Sequence, residues 1–113
     1  MLAKANRITR GADYKATVRR GTRITAANTV TYIRTDLDSA VVRFGFIVGK
    51  TVGTAVRRNR VRRRLKALSY ELLPELKPGV DVVVRALPAS ADAEWATLHE
   101  EISRAVSKGN LRR

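Results

Sequence analysis

The chain has 113 residues and no cysteine, and its 23 Lys and Arg against 10 Asp and Glu give a net charge of +13. That length suits one domain able to bury roughly two thirds of its unfolded surface, and the missing thiols exclude disulfides and Cys-ligated zinc and fit a cytoplasmic protein. No apolar run approaches the ~20 residues of a membrane span, and the opening MLAKANRITRGADYK has no apolar secretory segment.

The charge is unevenly spread. Residues 1–66 hold 17 basic and 3 acidic side chains, a net of +14, whereas residues 67–113 hold 6 and 7, a net of −1. Such asymmetry points to one charged face and to a polyanionic partner, nucleic acid in preference to membrane.

In chain order, residues 1–10 read as a basic extended arm with Lys4, Arg7 and Arg10, anchored by Ile8. Ala12–Arg20 reads as a short helix with Tyr14 and Val18 on one face and Gly21 as its C-terminal stop. Arg19, Arg20 and Arg23 cluster at its end, where they suit the helix dipole. A short strand near Arg23–Ala26 precedes a strand over Thr29–Thr35, which puts Val30 and Tyr32 on one side and Thr31 and Ile33 on the other. Asp36-Leu37-Asp38-Ser39 is a turn signal. Val41–Val48 is the next strand, with Val42, Phe44, Phe46 and Val48 on one face and Gly45 marking a bulge or a close contact. The two longer strands are expected to form a hairpin.

Gly49-Lys50-Thr51-Val52-Gly53 leads into a basic helix ending near Leu73-Pro74. Val61, Leu65, Leu68 and Leu72 make one helical stripe. Asn59, Arg62, Arg63 and Lys66 fall on the far side, with Arg57, Arg58 and Arg64 flanking the stripe. No acid occurs between Asp38 and Glu71. Seven cations on one short helix repel each other by a few tenths of a kcal/mol, on the order of the like-charge i,i+4 penalty for each pair. A helix that tolerates this is aimed at a polyanion.

Val80–Ala86 is a continuous apolar strand, central in its sheet and parallel to 41–48 with the basic helix as crossover. Pro88–Asp92 leads into a helix over Ala93–Lys108, N-capped by Asp92, striped by Trp95, Leu98, Ile102 and Val106, and ended by Gly109. The class is α+β, one nucleic-acid-binding domain over 1–113, in the order α-β-β-α-β-α plus the short strand, with a small mixed sheet and a split βαβ unit.

No protein active site is legible. His99 is the one histidine, placed on a helix flank, and Asp36 and Asp38 belong to a turn. Glu100 and Glu101 lie on a mostly exposed helix face, and the Gly49–Gly53 segment lacks the Lys-[Ser/Thr] of a phosphate loop. No metal site is expected. Tyr14, Val18 and Tyr32, edged by Arg10, Arg19 and Arg34, could form a shelf for unstacked bases; the alternative is that both tyrosines are core-edge residues.

Lys50, Gly53, Ala55-Val56, Arg58-Asn59-Arg60, Arg62-Arg63 and Lys66 resemble the "RNR" signature of the bacterial ribonuclease P protein subunit. Asn6-Arg7-Ile8 with Asp13-Tyr14, the strand residue Tyr32, and Gly79–Val84 with Pro88-Ala89 extend that resemblance over the whole chain. The resemblance implies a ribosomal protein S5 domain 2-like fold with a left-handed crossover. It implies binding to the catalytic RNA of ribonuclease P and to precursor tRNA, whose 5′ leader that RNA removes with Mg²⁺, a metal bound mainly by RNA. Lys50, Arg57, Arg58, Asn59, Arg60, Arg62, Arg63 and Lys66 would face the catalytic RNA, and Arg10, Tyr14, Val18 and Tyr32 would line a leader cleft. Val18 stands where relatives often carry a second aromatic. The family's arginine near the last strand has its nearest counterpart at Arg85, to which no role is carried over. The main competing reading is a ribosomal-type rRNA-binding protein; neither DNA nor membrane is an expected partner.

Overall fold

A computed structural model describes residues 2–35 and 37–113, so Asp36 of the expected turn lies outside the described residues. The elements are α1 (Gly11–Arg20), β1 (Thr22–Thr25), β2 (Thr29–Arg34), β3 (Val42–Ile47), α2 (Ala55–Leu72), β4 (Val80–Ala86) and α3 (Trp95–Lys108). Short 3-10 turns occupy Lys4–Asn6, Lys50–Val52, Leu73–Glu75 and Pro88–Asp92. Among the described residues the strands form one mixed sheet in the order β1-β2-β4-β3.

That order corrects the expected hairpin between β2 and β3. β2 is antiparallel to both β1 and β4, while β3 runs parallel to β4. The reason lies in β4. Val80, Asp81, Val82, Val83 and Val84 are all buried, so the strand has no face for water and takes the centre of the sheet. The close turn is instead at Ala26–Asn28, where the Ala26 N–H donates to Thr29 C=O at 2.8 Å. The parallel partners β3 and β4 are direct neighbours, so no strand splits the βαβ unit.

Helices cover both faces. On one, α2 and α3 set Val61, Leu65, Leu68, Leu72, Leu98, Ile102 and Val106 against Ile33, Phe44, Val82 and Val84. The expected α2 stripe is buried to 1% exposure or less, each side chain contributing about 1.5–3 kcal/mol by leaving water. Thr54 caps α2, its Oγ1 accepting the Arg57 N–H at 3.3 Å. On the other face, α1 and the N-terminal arm close a smaller cluster of Ile8, Val30, Tyr32 and Val83, edged by Tyr14, Val18, Ile47 and Leu87.

Ile8 anchors the arm: its side chain is buried, its N–H donates to Phe44 C=O at 2.9 Å and Asn6 Nδ2 donates to Val42 C=O at 2.9 Å, so the arm lies along the β3 edge. The expected helix ends need correction. Gly21 ends α1 at φ −76°, not in the left-handed region. It is needed for close approach, because a Cβ there would lie 2.4 Å from Thr17 O and 2.8 Å from Ile33 O. Finally, α3 begins at Trp95 and Asp92 does not cap it, since the Asp92 carboxylate accepts from Arg57 Nη2 at 2.8 Å. At the other end Gly109 has φ −76° and Asn110 takes the left-handed position at φ 57°. The Leu111 N–H bonds Val106 C=O and the Asn110 N–H bonds Ser107 C=O, a Schellman closure that delivers Leu111 to the core.

Candidate nucleic-acid interface

The outer side of α2 carries the charge. Asn59, Arg60 and Arg63 are exposed, and Arg58, Arg62 and Lys66 are half-buried. Val56, Asn59, Arg62, Arg63 and Lys66 line one shallow depression of about 510 Å³, which brings together the four residues assigned to the far side of the helical wheel. Asn59 orients its neighbour: its Oδ1 accepts from Arg62 Nη1 at 2.9 Å. The Nε of Arg58 is enclosed and has no hydrogen-bond partner among the described residues. Lys50 is exposed at the start of the 3-10 turn before α2.

Two cations of this helix are committed internally. Arg57 pairs with Asp92, and Arg64 Nη1 donates to Ala93 C=O at 2.8 Å. Both tie α2 to the segment entering α3. Their positions flanking the apolar stripe follow from the sequence; their partners, which come from more than 25 residues downstream, do not.

On the opposite face, α1 brings Tyr14 and Val18 over the sheet beside Tyr32. Tyr14 is half-buried and accepts the Phe46 N–H on its hydroxyl at 3.2 Å. The close contact expected at Gly45 is with this same ring: a Cβ would meet Tyr14 Cε1 at 2.6 Å. Tyr32 is buried, at 5% exposure, and is the less accessible of the two rings. Arg10 stands at the start of α1 with its side chain exposed, its carbonyl accepting the Asp13 and Tyr14 N–H groups.

Strand register assigns further residues to this face. Arg23 lies opposite Tyr32, Arg34 opposite Asp81, and Arg85 opposite Val30. Arg43, opposite Asp81 on β3, is the charged residue that sequence reasoning missed. Its Nε and Nη2 grip the buried Asp81 carboxylate at 2.9 and 2.7 Å, and its Nη1 reaches Asp13 of α1 at 3.4 Å. The hydrogen bond to Asp81 raises the Arg43 guanidinium above its ordinary pKa, against the opposing effect of burial. Only the alternation within VDVVVRA hints that Asp81 and Arg85 share a face.

The two surfaces meet. A groove of about 230 Å³ around the β3 edge is lined by Arg7, Ile8, Thr9, Tyr14, Phe44, Phe46, Arg62 and Lys66. It joins the α1 cleft to the basic helix.

Other candidate groups stand apart. His99 is half-buried, its ring centroid 5.0 Å from that of Trp95. Glu101, expected on an exposed face, instead accepts from Asn28 Nδ2 at 2.5 Å and Thr29 Oγ1 at 2.8 Å, pinning α3 to the β1–β2 turn. Among the described residues, no three His, Cys, Asp or Glu gather into a metal-holding group, and no helix is long and apolar enough to cross a membrane.

Comparison with known proteins agrees along nearly the whole chain. The family model "Ribonuclease P" matches residues 2–110. The chain is 50% identical over 108 residues to the ribonuclease P protein component of Clavibacter michiganensis, with 96% of each covered. It is 44% identical over 112 residues to that of Mycobacterium avium, covering 96% of this chain and 94% of the relative. In fold it is similar to the Staphylococcus aureus RNase P protein, with a TM-score of 0.86 at 21% identity over 97% of this chain and 100% of that one. The Thermotoga maritima RNase P protein gives a TM-score of 0.79 at 19% identity over 90% and 96%. The chain belongs to the ribonuclease P protein family, the protein subunit of the ribonucleoprotein endoribonuclease that matures tRNA 5′ ends.

Proposed function

We propose that this subunit acts by binding two RNAs at once. The α2 surface with Lys50, Arg58, Asn59, Arg60, Arg62, Arg63 and Lys66 docks on the phosphates of the catalytic RNA. The α1 cleft with Tyr14, Val18 and Tyr32 holds the single-stranded 5′ leader of precursor tRNA. The observation that carries this reading is the groove joining Tyr14 to Arg62 and Lys66. A strand leaving the cleft meets cations within the same groove, and so does an RNA seated on α2. Aromatic and apolar surface for bases beside cations for backbone is the arrangement single strands require. Arg57 supports the surface through Asp92 more than it offers a free charge.

The Mg²⁺ of the reaction belongs on the RNA. Asp13 and Asp81, the carboxylates nearest the cleft, are both bound to Arg43, which leaves no pair of free oxygen donors there for a hard cation. The protein's share is to neutralise phosphates and position the leader.

The test is reconstitution with in vitro transcribed ribonuclease P RNA at low Mg²⁺. The protein is expected to stimulate 5′ cleavage of precursor tRNA and to cleave nothing alone. Tyr14→Ala in pre-assembled holoenzyme should weaken precursor binding by about 1–3 kcal/mol and leave mature tRNA unaffected. Equal losses on both substrates would reduce Tyr14 to a packing residue.

A further inference from the structure

The outer surface of α2 is not purely cationic. Val56 is 67% and Tyr70 51% exposed, and with Trp95 of α3 they are the exposed large hydrophobics among the described residues. About four turns of helix, roughly 21 Å, separate Val56 from Tyr70, and the two fall within about 40° of one line along the axis. Asn59, Arg62, Arg63 and Lys66 fill the interval and share the shallow depression with Val56. Tyr70 follows Lys66 by one turn and Arg63 by two, so its ring stands on the same face just beyond the depression.

Packing does not account for this tyrosine. Leu68, Ser69 and Leu72 take the core side of the turn, each at 1% exposure or less. Tyr70 makes no hydrogen bond and no ring contact among the described residues. Trp95, by contrast, has its ring against His99, and the acid Glu94 precedes it. Around Tyr70, Ala67 and Pro74 are exposed as well, so the face passes from cations to a small apolar end. Glu71, the next residue, is turned about 100° around the helix and leaves the line of the ring free of acids.

The charges decide which partner fits. Arg63 and Lys66 make no ion pair among the described residues, and any molecule lying over Tyr70 and the depression must satisfy them too. A free aromatic face one turn from free cations suits a nucleotide: the base stacks on the ring and the phosphates meet the charges.

We propose that Tyr70 is a base-stacking contact to the catalytic RNA, taking an unpaired base against its ring while Arg63 and Lys66 hold the flanking phosphates. This rests on the docking of α2 on that RNA and adds a base contact to a surface otherwise suited to phosphates.

The experiment measures affinity for in vitro transcribed ribonuclease P RNA across a salt series, using wild type, Tyr70→Ala, Tyr70→Phe and Lys66→Ala. Tyr70→Ala is expected to weaken binding about five- to a hundredfold at every salt concentration, the span of one base stacked on a side chain, with the salt slope unchanged. Tyr70→Phe keeps the ring and should bind like wild type. Lys66→Ala should instead make the slope shallower by about 0.7–0.9, the share of one phosphate contact. All four proteins should melt alike, because both side chains lie on the outer face. Base-specific chemical probing of the RNA should show a base protected by wild type and Tyr70→Phe and reactive with Tyr70→Ala. A steep wild-type slope with Tyr70→Ala binding as wild type does would overturn the inference and leave the docking surface standing. A flat wild-type titration would remove the docking surface and this contact with it. A shallower slope for Tyr70→Ala, a Tyr70→Phe protein as weak as Tyr70→Ala, or the same base protection by wild type and Tyr70→Ala would also overturn the stacking assignment.

Discussion

The ring of Tyr14 rests on the backbone of Gly45: a Cβ at that glycine would lie 2.6 Å from Tyr14 Cε1. The Tyr14 hydroxyl then accepts the N–H of Phe46, one residue further along β3. A single side chain thus sets the height of α1 above the sheet and closes a donor on the exposed edge of β3, where the arm has already taken the carbonyls of Val42 and Phe44. The cleft is shaped by this contact before any RNA enters it.

Gly45→Ala should therefore lift α1. The inserted methyl has no room without moving the ring, and overpacking of this kind costs about 1–3 kcal/mol. Urea denaturation should show a lower midpoint with an unchanged slope. Tyr14→Phe keeps the ring and loses the acceptor, so it should cost only about 1 kcal/mol. A Gly45→Ala protein as stable as wild type would mean that the ring moves aside freely.

The Arg43–Asp81 pair should carry more stability than its partial exposure suggests. The Asp81 side chain is 2% exposed and that of Arg43 29%. Arg43→Met strands a buried carboxylate, a loss of about 3 kcal/mol at the low end of the range for breaking a buried pair, because Arg43 is partly solvated. Adding Asp81→Asn to Arg43→Met should recover part of that loss. A double mutant no more stable than Arg43→Met alone would show that the carboxylate was not the source of the penalty.

The sequence exposes elements with strong internal periodicity and hides what depends on distant partners. The stripe Val61–Leu72 and the apolar run of β4 were legible because their patterns are decided locally by burial. The parallel run of β3 and β4 about α2 followed from the order of the elements, but the hairpin expected between β2 and β3 does not form, because β4 needs two covered faces and takes the place between them. Asp92 shows a second limit. The residue type that suits a helix N-cap also suits an arginine, and only the fold brings Arg57 to it. Arg43 went unnoticed for the same reason: nothing in RFG announces a carboxylate 38 positions away.

Assembly with the catalytic RNA should depend steeply on salt. Lys50, Arg60, Arg63 and Lys66 are cations of the outer surface with no acid partner among the described residues. If each meets one phosphate, log affinity should fall with log salt at a slope of about −3. A flat titration between low and physiological salt would remove α2 as the docking surface.

The same surface divides by whether each arginine is already engaged. Arg60 is exposed and unpaired among the described residues, whereas Arg57 is held by Asp92 at 2.8 Å. Arg60→Ala should accordingly weaken RNA assembly more than Arg57→Ala does, although both remove one charge from the same helix. Asp92→Asn supplies the converse. It releases Arg57 and deletes an acid beside the basic face, so it should tighten RNA binding and steepen the salt slope by somewhat under one unit, the share of one added phosphate contact. Folding should hardly change, since the pair is solvent-exposed and worth about 0–1 kcal/mol. The readout is affinity across a salt series for the three variants, with melting curves alongside. Weaker RNA binding by Asp92→Asn at unchanged stability would mean that the Arg57–Asp92 pair positions the surface, and that an engaged arginine contributes more there than a free one.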